Sequence, residues 1–241
     1  MKKIKMYQVS TLQALALGYS KSVVSVDELL RHGNIGLGTF EDVNGEMIVL
    51  DGRCYKAAHD GIVTEADGST GVPFSSVAKM ENAERFEIGD AKNIAALKET
   101  LTLKIEEHFG LNSMHIIRID GSFSKIYARS ESAYKAHHVT LKDALSVTQR
   151  DFRFDDVSGS LVCVYYPDYM DGINASGWHL HFVSDDRKKG GHVFELEMNS
   201  GKAEMIKINC IEIQLPESPA FDTYSLKNAS GEDIKKVEQG E

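Results

Sequence analysis

Cysteine is scarce in this chain: Cys54, Cys163 and Cys210 stand far apart and form no CxxC pair. That spacing supplies neither a thiolate metal cluster nor a paired disulfide framework, and an odd number of thiols in a chain this long points to a reducing compartment. Cys163 lies in the apolar run LVCVYY and reads as small core filler. Long apolar runs are missing too. None reaches the roughly 18 residues that a membrane-spanning helix needs. Positive charge is sparse, with a formal net charge of −9. The clusters KIKM near the start and RKK at 187–189 read as solvated loops, so nucleic acid is excluded as a partner. No internal repeat and no low-complexity segment occurs. The start MKKIKMYQVSTLQALALG opens on lysines like a secretory leader, but Gln8, Ser10, Thr11 and Gln13 interrupt the apolar stretch. A helix suits it better than an export signal, and the expected location is the cytoplasm.

What is present is ordinary globular material. The 241 residues are 42% hydrophobic and 26% charged, enough for one large domain or two small ones. Ser10 is placed to cap a helix TLQALAL that Gly18 stops. Ser25 and Glu28 have capping-box spacing before a second helix ending at Gly33. From residue 35 the pattern changes to short apolar runs separated by Asn44-Gly45 and Asp51-Gly52, which predicts a three-stranded meander. DGIVTEADGSTG reads as loop, followed by a strand near PFSSVAKM.

The clearest helix starts at Asp90, with Ile94, Leu97, Leu101 and Ile105 on one face and Gly110 at its end. Strands SMHIIRIDG and SFSKIYAR follow, then a short helix from Thr140. After it come FRFDDV, LVCVYYPDY, a histidine-rich segment, HVFELEMN and KAEMIKINCIEIQL, with Ser200-Gly201 read as a turn. The expected fold is α/β of the α+β type. Residues 1–135 form a mixed sheet with helices, and residues 136–241 form a mostly antiparallel β part.

The segment GWHLHFVSDDRKKGGHV places His179, His181 and His192 within fourteen positions, with two glycines directly before the third. On a strand, residues i and i+2 share a face, so His179 and His181 project together while Leu180 and Phe182 face the other way. SDDRKKGG is polar and glycine-rich, as a hairpin loop should be. A hairpin centred between Asp186 and Arg187 sets position 181 opposite position 192, and opposed residues have Cβ atoms roughly 4.5–5.5 Å apart. HxH alone is common on polar strand surfaces. The third histidine at the mirrored position turns the group into a three-imidazole site for a divalent cation such as Zn²⁺.

Together with YQVSTLQALALG, LLRHGNIGLGTFEDVNGEMIVLDGRCY, IRIDGSFSKIYAR and IQLP, this segment resembles the α-acetolactate decarboxylases over nearly the whole chain. The resemblance implies that His179, His181 and His192 hold zinc or a similar divalent metal. It marks Glu46 and Glu238 as carboxylates at that metal. It also marks Arg129 as the active-site arginine and Thr39 as part of the pocket lining. It further implies two sheet-based parts, a homodimer, a small 2-hydroxy-3-oxo acid as substrate and no organic cofactor. Exported members are longer and carry a leader; none is expected here.

The implied reaction belongs to acetoin and butanediol metabolism: 2-acetolactate loses CO2 to give (R)-acetoin. The electron pair left on carbon is delocalised onto the ketone oxygen as an enediolate, which a bound cation stabilises. Arg129 suits the departing carboxylate or the alkoxide. The proton donor stays open among Glu46, Glu238, a metal-bound water and Arg129. Two other readings compete. A cupin-like non-haem iron oxygenase also uses HxH, but it wants a glutamate where FVSDD supplies only Asp185 and Asp186. A non-catalytic metal-binding or small-ligand module needs the histidines and nothing else.

Overall fold

A computed structural model of the chain describes residues 3–135, 139–223 and 226. The alternating segment KMYQV forms β1 (Lys5–Val9) where a helix was expected, since every residue after Lys5 is buried on one face or the other. Helix α1 is confined to Leu12–Ala16. Ser10 takes a φ of 58° as the corner residue. The capping oxygen is instead that of Thr11, which accepts from the Ala14 N–H at 3.2 Å. After β2 (Val24–Ser25), helix α2 (Val26–His32) begins as anticipated, with Ser25 accepting from the Glu28 N–H.

The meander follows as β3 (Ile35–Thr39), β4 (Glu46–Leu50) and β5 (Arg53–Ala57). Asp51 and Gly52 have φ of 54° and 75°, the two positive values a tight hairpin turn demands. The stretch expected to be loop contributes β6 (Val63–Glu65) and β7 (Gly71–Val72), and β8 (Phe74–Ala78) closes this region. Then come β9 (Glu84–Ile88), absent from the sequence reading, and α3 (Ile94–His108), which starts after Asn93 rather than at Asp90. The two strands expected from SMHIIRIDG and SFSKIYAR are one, β10 (Met114–Glu131). Helix α4 (Leu141–Thr148) is capped by Thr140. The remainder is β11 (Gln149–Tyr166), β12 (Gly177–Ser184), β13 (Gly190–Ile208), β14 (Cys210–Gln214) and α5 (Pro219–Thr223).

One mixed sheet has the order β14-β1-β8-β3-β4-β5-β6, β14 lying parallel to β1. The second is antiparallel, β10-β11-β12-β13-β9. In it β13 also pairs with β10, so the ladder closes on itself. The two sheets draw on both sides of residue 135: β9 and β10 belong to the second sheet, β14 to the first. Ser200-Gly201 is not a turn, because β13 runs straight through it with Ser200 and Gly201 paired to Ser122 and Gly121 of β10.

The layers follow from strand alternation. Met47 and Val49 of β4 face α2 and pack with Val26 and Leu29. Ile48 and Leu50 face the second sheet and meet Ile116, Val162, Val164 and Ile206. The far face of that sheet carries Leu161, Cys163, Leu180 and Phe182, covered by Leu97, Leu101 and Ile105 of α3. Each such aliphatic side chain, fully buried, contributes about 1.5–3 kcal/mol. Among the described residues no helix is long and apolar enough to cross a membrane.

Candidate active site

The face that β4 turns toward the second sheet starts with Glu46, and the face that β12 turns back carries His179 and His181. The site is built where these meet. The hairpin β12–β13 has the register deduced from its symmetry: His181 opposite His192, Phe182 opposite Gly191, Val183 opposite Gly190. On its other edge His192 is the partner of Arg129 in β10. Arg129, His192 and His181 thus lie side by side across three strands. In the first sheet, Thr39 and Glu46 are direct cross-strand partners.

The glycines before His192 are explained by contact. A Cβ on Gly191, whose φ is 150°, would stand 2.6 Å from the Arg129 carbonyl oxygen. A Cβ on Gly190 would stand 2.6 Å from the Phe182 carbonyl oxygen. Only glycine lets β13 close on both neighbours and bring the three strands together.

The imidazoles converge. His179 Nε2 lies 3.0 Å from His181 Nε2 and 3.0 Å from His192 Nδ1. Ligand nitrogens at ~2.0–2.1 Å from a shared zinc stand only slightly farther apart, about 3.3 Å in a tetrahedral arrangement. His181 Nδ1 is 2.8 Å from the Met47 carbonyl oxygen. A carbonyl only accepts, so that nitrogen carries the proton and Nε2 presents its lone pair to the cluster. Burial drives the His179 pKa well below the usual imidazole range, and neighbouring His181 and Arg129 lower it further. Burial likewise takes His181 down to about 3, with Arg129 lowering it and the Met47 hydrogen bond opposing. Both rings are therefore neutral and able to bind a metal at ordinary pH. The three residues form a group able to hold a metal ion.

Glu46 is buried, and its Oε2 lies 3.3 Å from His181 Nε2. Its backbone is fixed from the other sheet: the Glu46 N–H donates to Ser130 Oγ at 3.3 Å, and Ser130 donates to the Ala57 carbonyl at 2.7 Å. Thr39 Oγ1 donates to the Gly45 carbonyl at 3.0 Å, bracing the turn that leads into Glu46. Arg129 is buried beside His192, with Nη1 3.4 Å from Gln149 Oε1. Glu238 lies outside the described residues.

A cavity of about 30 Å³ opens over this group, with Thr39, Glu46, Arg129, His179 and His192 in its polar wall. Sequence reasoning missed the buried carboxylate of Glu131 there, although it sits two residues after Arg129 on the same strand and so shares its face. It also missed the apolar wall of Leu15, Val43, Phe74, Leu141 and Leu145, which four separate chain regions supply. A larger cavity of about 750 Å³ lies between residues 17–24 and 214–220, and none of the three histidines lines it. Asp185 and Asp186, the residues an oxygenase reading would need, are exposed in the hairpin turn.

Comparison with known proteins agrees with this constellation. Residues 6–228 match the family model described as alpha-acetolactate decarboxylase. The chain is 38% identical to the alpha-acetolactate decarboxylase of Methanosarcina mazei, over 97% of this chain and 80% of that protein. It is 32% identical to that of Lactococcus lactis subsp. lactis, over 88% of each. The crystal structure of the Bacillus subtilis strain 168 enzyme superposes with a TM-score of 0.91 at 29% identity, covering 98% of this chain and 99% of that one. With a matching fold over nearly its whole length and a histidine group able to hold a metal ion, this chain belongs to the alpha-acetolactate decarboxylase family.

Proposed function

We propose that the chain is a carboxy-lyase that converts 2-acetolactate to acetoin and CO2, with His179, His181 and His192 holding zinc or a similar divalent ion. The observation that carries this reading is the convergence of three buried imidazoles beside a cavity that His179 and His192 share with Arg129 and Glu46. When bound, such an ion supplies Lewis acidity, taking up the negative charge that develops on the substrate's ketone oxygen.

The chain's own residues account for the rest. Arg129 offers a fixed fork of N–H donors and a permanent positive charge, suited to gripping the substrate carboxylate. Held there, the carboxylate's bond to carbon is directed so that its electrons flow into the adjacent carbonyl as CO2 leaves. Burial strengthens each of these polar contacts and keeps bulk water from competing. The enediolate that remains needs one proton at the former carbinol carbon. Glu46 is anchored through its backbone on one side of the cavity and is the group we assign to deliver it. Delivery from one side yields one hand of acetoin, the R hand by resemblance to the family. Thr39 keeps the Glu46 turn in place. A homodimer in the cytoplasm is part of the same reading, supported by the family resemblance and by the free thiols of Cys54, Cys163 and Cys210.

The test is acetoin and CO2 release from racemic 2-acetolactate, with and without a chelator and with chiral analysis of the product. Expected are stoichiometric release of both products, loss on chelation and recovery with Zn²⁺. No CO2 from the metal-reconstituted protein would overturn the proposal.

A further inference from the structure

Four groups surround the carbinol carbon of a 2-hydroxy-3-oxo acid: a carboxylate, a hydroxyl, an acyl group and an alkyl group. The cavity is two-sided. Its polar half holds Arg129, Glu46, His179 and His192, and its apolar half includes Leu15 of α1, Phe74, and Leu141 and Leu145 of α4. If the carboxylate is directed to Arg129 and both oxygens to the metal-binding group, three vertices of the tetrahedron point into the polar half. The fourth, the alkyl substituent, points away from it. We propose that Leu141 and Leu145 are the surface that receives this substituent and sets the limit on its size, an inference that rests on the decarboxylase reading above.

The packing favours α4 for this role. Phe74 is set in the first sheet at 2% exposure, paired with Thr39 of β3, while Leu15 of α1 is 4% and Val43 8% exposed. Leu145 is 9% exposed at the margin of the same apolar cluster. Helix α4 is eight residues long and seats itself through Leu141, Ala144 and Leu145. The cavity is small, so one added carbon against Leu145 is felt directly. A close-fitting apolar pocket separates homologues differing by a methylene by roughly 10–200-fold.

The experiment compares kcat/KM for 2-acetolactate and for its homologue with ethyl in place of methyl on the carbinol carbon. It uses full-length, metal-loaded protein as wild type, Leu145→Ala, Leu145→Phe and Val147→Ala. Val147, on the outer face of α4 and 67% exposed, is the control. The preference for methyl over ethyl should fall at least about fourfold in Leu145→Ala, the worth of one accommodated methylene. It should rise in Leu145→Phe and stay put in Val147→Ala. Mere destabilisation cannot move one ratio in opposite directions. Dissociation constants for the two ketone-reduced analogues, which cannot lose CO2, should shift in the same sense. A ratio within twofold of wild type in both Leu145 variants, with wild type active on 2-acetolactate, overturns the assignment of the wall. A wild type inactive on both substrates overturns the decarboxylase reading itself, and the assignment with it.

Discussion

His181 donates from Nδ1 to the main-chain carbonyl of Met47 at 2.8 Å, across the interface between the two sheets. One hydrogen bond therefore fixes the tautomer of an imidazole in the three-histidine group and docks β12 against β4 next to Glu46. Partners of this kind are worth about 10–100-fold in metal affinity when lost. Because the acceptor is backbone, the ring itself is the accessible probe.

Replacing His181 or His192 with alanine should abolish stoichiometric metal uptake, measured as metal content after dialysis against Zn²⁺. Chelation of the wild type should lower its melting temperature. A ligand present at 100 times its dissociation constant adds about 2.7 kcal/mol to stability. Equal melting temperatures for metal-loaded and chelated protein would contradict the site.

Arg129→Ala should separate binding of metal from turnover. Arg129 neighbours His192 in register but is not one of the converging nitrogens. The variant should keep its metal and lose about 10²–10³-fold in kcat/KM, the worth of one partner in a buried charge-assisted contact. Unchanged turnover would remove Arg129 from the catalytic assignment.

Gly191→Ala places a methyl 2.6 Å from the Arg129 carbonyl oxygen. The strands must part at the level of Arg129 and His192. Overpacking and backbone strain of this kind cost about 1–3 kcal/mol. Urea unfolding should register that loss, and metal affinity should fall with it. An alanine at Gly89, where an added Cβ meets nothing within 4 Å, should change neither.

His115 gives a pH prediction away from the site. It is fully buried on β10 beside Phe109 and Tyr165, and burial lowers its pKa to about 4. The unfolded chain, with an imidazole pKa near 6.5, binds the proton first. Stability is therefore complete above about pH 6.5 and declines as the pH falls toward 4. The full displacement corresponds to about 3 kcal/mol. In His115→Phe the acid limb of stability, measured by urea denaturation from pH 7 to 4, should be flatter than in wild type by an amount of this order.

Local signals in the sequence were sufficient for several elements. Asp51-Gly52 requires positive φ at two successive positions, and only a tight hairpin uses that pair. Ser25 and Glu28 satisfy a helix N-terminus within one turn. The pairing of His181 with His192 follows from hairpin symmetry alone, because strand register is fixed once the turn centre is known. Neighbours distant in the chain decided the remaining elements. Lys5–Val9 became a strand because β8 and β14 flank it, and Ser200-Gly201 stayed extended because β10 pairs with it.

By itself the sequence set three imidazoles at hairpin spacing, and its resemblance to the family added Arg129 and Glu46 to them. Tertiary structure alone decided that His179, His192, Arg129 and Glu46 share one cavity and that Glu131 joins them. It also decided that α1, α4 and Phe74 close the other side. The physical reason is range. Strand alternation and turn chemistry act over a few residues, whereas the meeting of Glu46 with His181 comes from burying apolar faces of two sheets against each other, a non-directional force that leaves no local pattern in the chain.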